Sequence, residues 1–218
     1  TKGWTQSSRY EDERQRVEER AAALLAPFAQ LSVPALADNP QAMSTAHNLF
    51  QNNCAQCHGS DGGGARGFPN LADADWQWGG DADSVVQTIV NGRVAAMPPW
   101  GEALGAAGIE QVVAYVQSLS GQPHDAAAAA LGRPQFGTFC TACHGADGRG
   151  NPLLGAPNLT DATWLYGGDA ASIREAIVKG RNNQMPAFGE RLGEQRVRLL
   201  AAYVLRMSRG QPVDGDAS

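Results

Sequence analysis

The segments Cys54-Ala55-Gln56-Cys57-His58 and Cys140-Thr141-Ala142-Cys143-His144 decide how this chain is read. In each, two thiols three positions apart are followed at once by an imidazole. That is the attachment pattern of a c-type haem: the thiols add to the two vinyl groups, and the histidine lies beneath the iron as proximal ligand. Disulfides, a zinc site and a thioredoxin-like redox pair are the competing readings. Zinc needs four ligands, and neither motif has a second Cys or His pair at finger spacing. A redox pair does not require the following histidine, and chance does not readily supply two copies. The motifs therefore imply two covalently bound haem c groups, held by Cys54, Cys57, Cys140 and Cys143, with His58 and His144 on the irons.

Working outward, the motifs belong to an internal repeat. Cys54 maps onto Cys140 at an offset of 86, whereas Pro69-Asn70-Leu71 maps onto Pro157-Asn158-Leu159 at 88. The same 88 relates Trp76 to Trp164, Gly79-Gly80-Asp81 to Gly167-Gly168-Asp169, Arg93 to Arg181, and Tyr115 to Tyr203. The second copy thus carries two extra residues between its haem motif and its Pro-Asn-Leu segment. The expected organisation is an N-terminal helical segment and linker over 1–40, a first cytochrome c domain over 41–122, and a second over 123–218 with a C-terminal tail. Each is short for a self-sufficient core, and a covalently held porphyrin is a large apolar body around which short helices can pack.

The repeat also selects the distal ligands. Of four methionines, Met43 matches Ala129 and Met207 matches Leu119, a core position on the last helix. Only Met97 and Met185 match each other, and each precedes a proline, in Ala96-Met97-Pro98-Pro99-Trp100 and Gln184-Met185-Pro186-Ala187-Phe188. Proline fixes φ and lacks an N–H, so each methionine is expected in a stiff non-helical loop suited to an axial bond. His47 is read as a surface or structural histidine, with a bis-His site the alternative, because it lies seven residues before Cys54 on one helix. His124 has no counterpart in the first copy and is likewise read as a surface or structural histidine. Arg93 and Arg181 lie four before each methionine, where guanidinium could meet a haem propionate; an ordinary surface arginine is the other reading. Trp76, Trp78, Trp164 and Tyr166 either line the haem pockets or serve as plain aromatic packing.

Helices are expected over 41–53 and 126–138 leading into the motifs, with Phe50 and Phe136 one turn before a cysteine. Further helices are expected over 83–91, 171–179, 108–119 and 194–208, with Gly92 and Gly180 as C-caps. No segment alternates as a strand, so the fold is read as all-α: two tandem cytochrome c domains, each built around a covalently attached haem and preceded by an N-terminal helical segment. The glycine-rich turns after each motif have no preceding strand and no following Lys-Ser/Thr, which argues against phosphate binding. The charged run between Tyr10 and Gln30 reads as a solvated helix. A net charge of −5 with pI near 5.3 argues against non-specific nucleic-acid binding. No stretch approaches the roughly 20 apolar residues of a membrane span, and no signal peptide is visible.

Over nearly its whole length the chain resembles the dihaem subunit, CcoP or FixP, of cbb3-type cytochrome c oxidases. The resemblance rests on Gly3-Trp4-Thr5-Gln6 followed by a charged helix, Gly67-Phe68-Pro69-Asn70-Leu71, Asp75-Trp76-Gln77-Trp78-Gly79-Gly80 and Met97-Pro98-x-Trp100-Gly101. In the second copy it rests on Gly155-Ala156-Pro157-Asn158-Leu159-Thr160-Asp161, Tyr166-Gly167-Gly168 and Gly180-Arg181-x-x-x-Met185-Pro186-Ala187-Phe188. It implies a respiratory-chain subunit on the periplasmic side of the bacterial inner membrane, taking electrons from a soluble cytochrome c donor. Through a monohaem subunit it would pass them to the catalytic oxidase subunit. It further implies membrane helices ahead of Gly3, an anchor absent from this sequence, so that 1–40 would lead from the membrane surface to the first haem. A free-standing periplasmic dihaem carrier of the cytochrome c4 type is the alternative, against which the length of 1–40 speaks. A haem enzyme such as a dihaem peroxidase, or a gas sensor, needs an open iron position that Met97 and Met185 would fill. Met with His raises the reduction potential and favours electron transfer, so the chain is read as no enzyme on its own, with no catalytic residues.

Overall fold

The structure, a computed structural model, describes residues 6–211; Gly3, Trp4 and Thr5 of the N-terminal resemblance lie outside them. The charged stretch forms α1 (Gln6–Leu25), followed by a 3-10 turn at Ala26–Phe28 and the short α2 (Val33–Ala37). The Asn39 side chain accepts from the Ala42 N–H and Pro40 takes the first turn of α3 (Pro40–Asn53), which runs into the single turn α4 (Ala55–His58). Asp81 caps α5 (Ala82–Asn91), then come β1 (Arg93–Met97) and α6 (Gly101–Leu119), interrupted at Gly105 where φ is 63°. The second half repeats this order: α7 (Ala126–Phe139), α8 (Thr141–His144), α9 (Ala170–Lys179) capped by Asp169, β2 (Arg181–Met185), α10 (Gly189–Leu192) and α11 (Glu194–Ser208).

The fold is mainly helical, as read from sequence, with one correction to its all-α description. The segments ending at Met97 and Met185 are strands, not loops, and pair antiparallel: Arg93 faces Met185, Ala95 faces Asn183, and Met97 faces Arg181. Neither Arg-Val-Ala-Ala-Met nor Arg-Asn-Asn-Gln-Met alternates in hydropathy, and the partners lie 88 positions apart, so no local window reveals the ladder. Because Ala95 and Asn183 are themselves repeat equivalents, the ladder lies on a pseudo-two-fold axis. Asp75 and Thr163, also equivalent, meet on the same axis through a 2.5 Å bond from the Thr163 hydroxyl to the Asp75 carboxylate. Gly92 and Gly180 do more than end helices. Their φ values are 67° and 71°, and an added Cβ would sit 2.3 Å from the Met185 carbonyl and 2.4 Å from that of Met97. Only glycine admits the partner strand so closely.

Repeat and packing unit do not coincide. One core gathers Phe50 of α3, Val85 and Ile89 of α5, and Val197, Leu200 and Tyr203 of α11. The other gathers Val112, Val113 and Val116 of α6, Phe136 of α7, and Ile173 and Ile177 of α9. Each repeat's last helix therefore closes over the other repeat's haem motif. The hand-over follows the ladder: the Trp100 N–H donates to the Ile177 carbonyl at 2.8 Å, and the Phe188 N–H to Ile89 at 2.9 Å. Aromatic contacts cross in the same sense, Phe50 against Tyr203 and Phe136 against Tyr115, both at 5.2 Å between centroids. Residues 41–122 and 123–218 are thus units of sequence, and an amphipathic last helix reads identically whichever unit it covers.

The N-terminal segment is seated on the α11 side. Leu25, Phe28 and Leu36 are buried in that core. Arg198 donates to the Ala29 carbonyl at 2.9 Å and Arg206 to that of Ala37 at 2.7 Å. Among the described residues no helix is long and apolar enough to cross a membrane.

Candidate haem sites

Both motifs adopt one local geometry. Cys54 ends α3 with its N–H on the Phe50 carbonyl, and the His58 N–H returns to the Cys54 carbonyl at 3.0 Å. Cys140 and His144 repeat this at 2.9 Å for each bond. Cys57 and Cys143 are exposed, while Cys54 and Cys140 are half-buried. Burial pushes the Cys54 thiol up to about 11, with Arg191 opposing and Cys57 adding; burial and then Cys143 do the same to Cys140. A dithiol poised for exchange has the opposite shift. The geometry supports thiols set for covalent attachment.

The histidines are oriented alike. His58 Nδ1 lies 3.0 Å from the Pro69 carbonyl and His144 Nδ1 3.1 Å from that of Pro157. A carbonyl only accepts, so Nδ1 carries the proton and Nε2 keeps its lone pair for a metal. Burial lowers both pKa values, the carbonyl bond partly opposing, so each ring is the neutral imidazole that an iron needs. The two prolines belong to the repeated Pro-Asn-Leu segment, which explains its presence after both motifs.

The distal sides are supplied crosswise. A cavity in the α6–α7–α9 unit is lined by Cys140, Cys143 and His144 of the second repeat together with Met97 of the first. Val112, Val116, Phe136, Ile173 and Ile177 form its apolar wall, and Trp164 and Arg181 also line it. In the other unit Cys54, Trp76 and Met185 pack against the same core. Met97 is thus brought to His144, and Met185 to the unit of His58. Each tryptophan packs closely against a glycine: a Cβ on Gly80 would come within 2.3 Å of Trp76, and one on Gly168 within 2.7 Å of Trp164.

The cavity fits an amphiphilic porphyrin. Its wall is apolar, and its cation is incompletely satisfied: Arg181 Nε is buried with no hydrogen-bond partner among the described residues. A propionate would meet that N–H. The guanidinium stacks 4.5 Å from the Tyr166 ring and donates to Glu175 at 3.2 Å. Arg93 in the first repeat is held differently, its Nε on the Thr88 hydroxyl at 2.9 Å and its guanidinium 4.8 Å from the Trp78 ring.

The remaining candidates fall outside these sites. His47 Nδ1 lies 2.9 Å from the Tyr203 hydroxyl and packs edge-on against that ring, which fits the structural reading. His124 is exposed beside the Gln122 carbonyl, and Met43 and Met207 are core. Two further side chains, Gln77 and Asn183, carry no signature of their own in the sequence. Gln77 donates to the Gly155 carbonyl across the repeats, and Asn183 accepts from the Tyr166 hydroxyl. The only available signal was that these positions fall in the repeated segments, which does not say across which interface they act. The two extra residues of the second copy sit at the loop tip Asn151–Ala156, where Leu153 is 89% exposed.

The sequence profile described as cytochrome C oxidase, cbb3-type, subunit III matches residues 41–116 and 127–204. The chain is 43% identical over 214 residues to the cbb3-type cytochrome c oxidase subunit CcoP of Rubrivivax gelatinosus, covering 98% of this chain and 70% of that protein. It is 40% identical over 222 residues to the subunit FixP of Azorhizobium caulinodans, covering 96% and 76%. Against the CcoP of Cereibacter sphaeroides it is 41% identical over 208 residues, covering 88% and 72%.

Proposed function

This chain belongs to the subunit III family of cbb3-type cytochrome c oxidases, and from that premise we propose that it is an electron-transfer arm of such an oxidase. It carries two covalent haem c groups, accepts electrons on the periplasmic side from a soluble cytochrome c, and delivers them by way of the monohaem subunit toward the catalytic subunit. The observation that carries this reading is the meeting of Met97 with Cys140, Cys143 and His144 in one apolar cavity.

When bound, haem c supplies a one-electron iron couple. The chain's residues do the rest. His58 and His144, oriented through Nδ1 by proline carbonyls, present Nε2 as proximal ligands. Met185 and Met97, fixed by the ladder and by the following proline, would hold with their thioethers the haems at His58 and His144 respectively. A haem held between a histidine and a methionine would have both of its ligand places filled by this chain, which would suit electron transfer and leave the bond-making chemistry to another subunit.

The test is a haem count followed by electron uptake. Mass spectrometry of the matured chain should find two haems, at Cys54/Cys57 and Cys140/Cys143. The oxidised chain should then take up two electrons from reduced soluble cytochrome c and consume no oxygen alone. A single haem, or oxygen reduction by the isolated chain, would overturn the reading.

A further inference from the structure

The two arginines before the paired methionines are repeat equivalents, but among the described residues only Arg181 has a counter-ion. Glu175 on α9 receives Lys179 on Oε1 at 3.0 Å and Arg181 on Oε2 at 3.2 Å, with Arg66 3.7 Å from the same Oε2. Hydrogen bonds from Lys179 and Arg181, with their charge, hold its carboxyl below the usual glutamate range. The group is therefore charged throughout the neutral range. Arg66 comes from the turn after the first haem motif, so the cluster draws on both repeats.

At the matching places the first repeat has Gln87 for Glu175 and Asn91 for Lys179. There Asn91 donates to Gln87 at 2.7 Å, and both are neutral. Arg93 turns instead to the Thr88 hydroxyl and, at 3.4 Å, to the Ser84 carbonyl. The ladder and the ligands obey the two-fold relation, while the charge beside the ligands departs from it.

Resting on the haem reading above, we infer that Glu175 is a positioning residue that sets the reduction potential of the second haem through Arg181. Two features of Arg181 carry this. It lines the cavity with a buried, partnerless Nε, and its other end is held by Glu175 and by the Tyr166 ring. Glu175 therefore fixes the fork that a propionate would meet and offsets part of its positive charge. Reduction adds one negative charge to the haem, and a neighbouring carboxylate opposes that addition. The first haem has no such carboxylate at the equivalent position.

The test is a spectroelectrochemical titration of the intact dihaem chain, comparing wild type with Glu175→Gln and Glu175→Asp. The second haem is identified as the one missing from a chain carrying Cys140→Ser and Cys143→Ser. Glu175→Gln keeps a hydrogen-bond acceptor and removes the charge. It should raise the second midpoint, leave the first in place and preserve the Met–iron absorption band of both haems. The rise should shrink with ionic strength, because the carboxylate is partly exposed. Glu175→Asp, which keeps the charge, should stay near the wild-type midpoint. The inference is overturned if Glu175→Gln leaves the second midpoint unmoved or lowers it, or if both variants shift it equally. Absence of haem from Cys140 and Cys143 in the wild-type chain would instead sink the haem reading, and this inference with it.

Discussion

The α3–α5–α11 unit and the α6–α7–α9 unit have the same frame and differ in what surrounds it. Both place a one-turn Cys-x-x-Cys-His helix beneath a last helix borrowed from the other repeat, and both take a methionine from the central ladder. The N-terminal segment covers α11 in the first unit. His47 bonds Tyr203 in the first unit; in the second, the repeat equivalent of His47 is Arg133, which is exposed. The second unit has the Glu175 cluster and the longer, leucine-tipped loop. What is shared holds the ligands. What differs lies around them, where on the proposed reading it would separate two haems in potential and in partner without disturbing their coordination.

The comparison breaks most completely at the shared frame. His58→Ala and His144→Ala should each prevent stable haem incorporation at their own motif, read as loss of one haem per chain in a haem assay. Loss of both haems from either variant would show that the units do not mature separately.

Next in size are the ladder glycines. Gly92→Ala adds a positive-φ penalty to a 2.3 Å clash with the Met185 carbonyl, and should cost roughly 2–4 kcal/mol. It should also weaken the Met–iron band of the haem at His58. Gly105→Ala has the same glycine-favouring backbone, φ 63° and ψ 173°, but nothing within 4 Å of the new Cβ, and should cost less, about 1–3 kcal/mol. Denaturant unfolding of the two variants separates close approach from backbone strain.

These glycines show how much of the molecule was legible in the chain. The Cys-x-x-Cys-His motifs, the repeat and the pairing of Met97 with Met185 are read from residue identity alone, and the cavity brings Met97 to Cys140, Cys143 and His144. Helix positions followed from caps such as Asp81 and Asp169 and from apolar spacing. The ladder did not, since Ala95 meets Asn183 through contacts 88 residues apart and neither strand alternates. The crossing of the last helices was equally hidden: Val112 and Val116 on α6 would bury the same face against α3 as against α7. Arg181 could be nominated from its repeat position, but its contrast with Arg93 depends on Glu175 and Thr88, whose roles appear only in three dimensions.

A smaller effect is expected at Tyr203. Tyr203→Phe keeps the ring against Phe50 and removes the hydroxyl bonded to His47, which should cost about 1–2 kcal/mol and affect the first unit alone. Equal loosening of both units in hydrogen exchange would contradict that confinement. The smallest effect is expected at the Glu110–Arg174 pair, bidentate at 2.6 Å, which ties α6 to α9 on the surface. The hydrogen bond from Arg174, aided by its charge, lowers the Glu110 pKa, with slight burial opposing. Its folded-state value is therefore below the unfolded one, so its stabilisation is present above the ordinary glutamate range and lost as pH falls through the depressed value. Glu110→Gln should flatten the acid limb of the stability profile slightly and change nothing at neutral pH beyond a small uniform loss.

On the proposed reading each haem takes its methionine from the other repeat. That crossing is tested most directly in a chain carrying Cys140→Ser and Cys143→Ser, which keeps only the haem at Cys54 and Cys57. In that background Met185→Ala should abolish the Met–iron band of the oxidised protein and lower its midpoint, while Met97→Ala should leave both in place. Loss of the band with Met97→Ala and its survival with Met185→Ala would contradict the crossed arrangement.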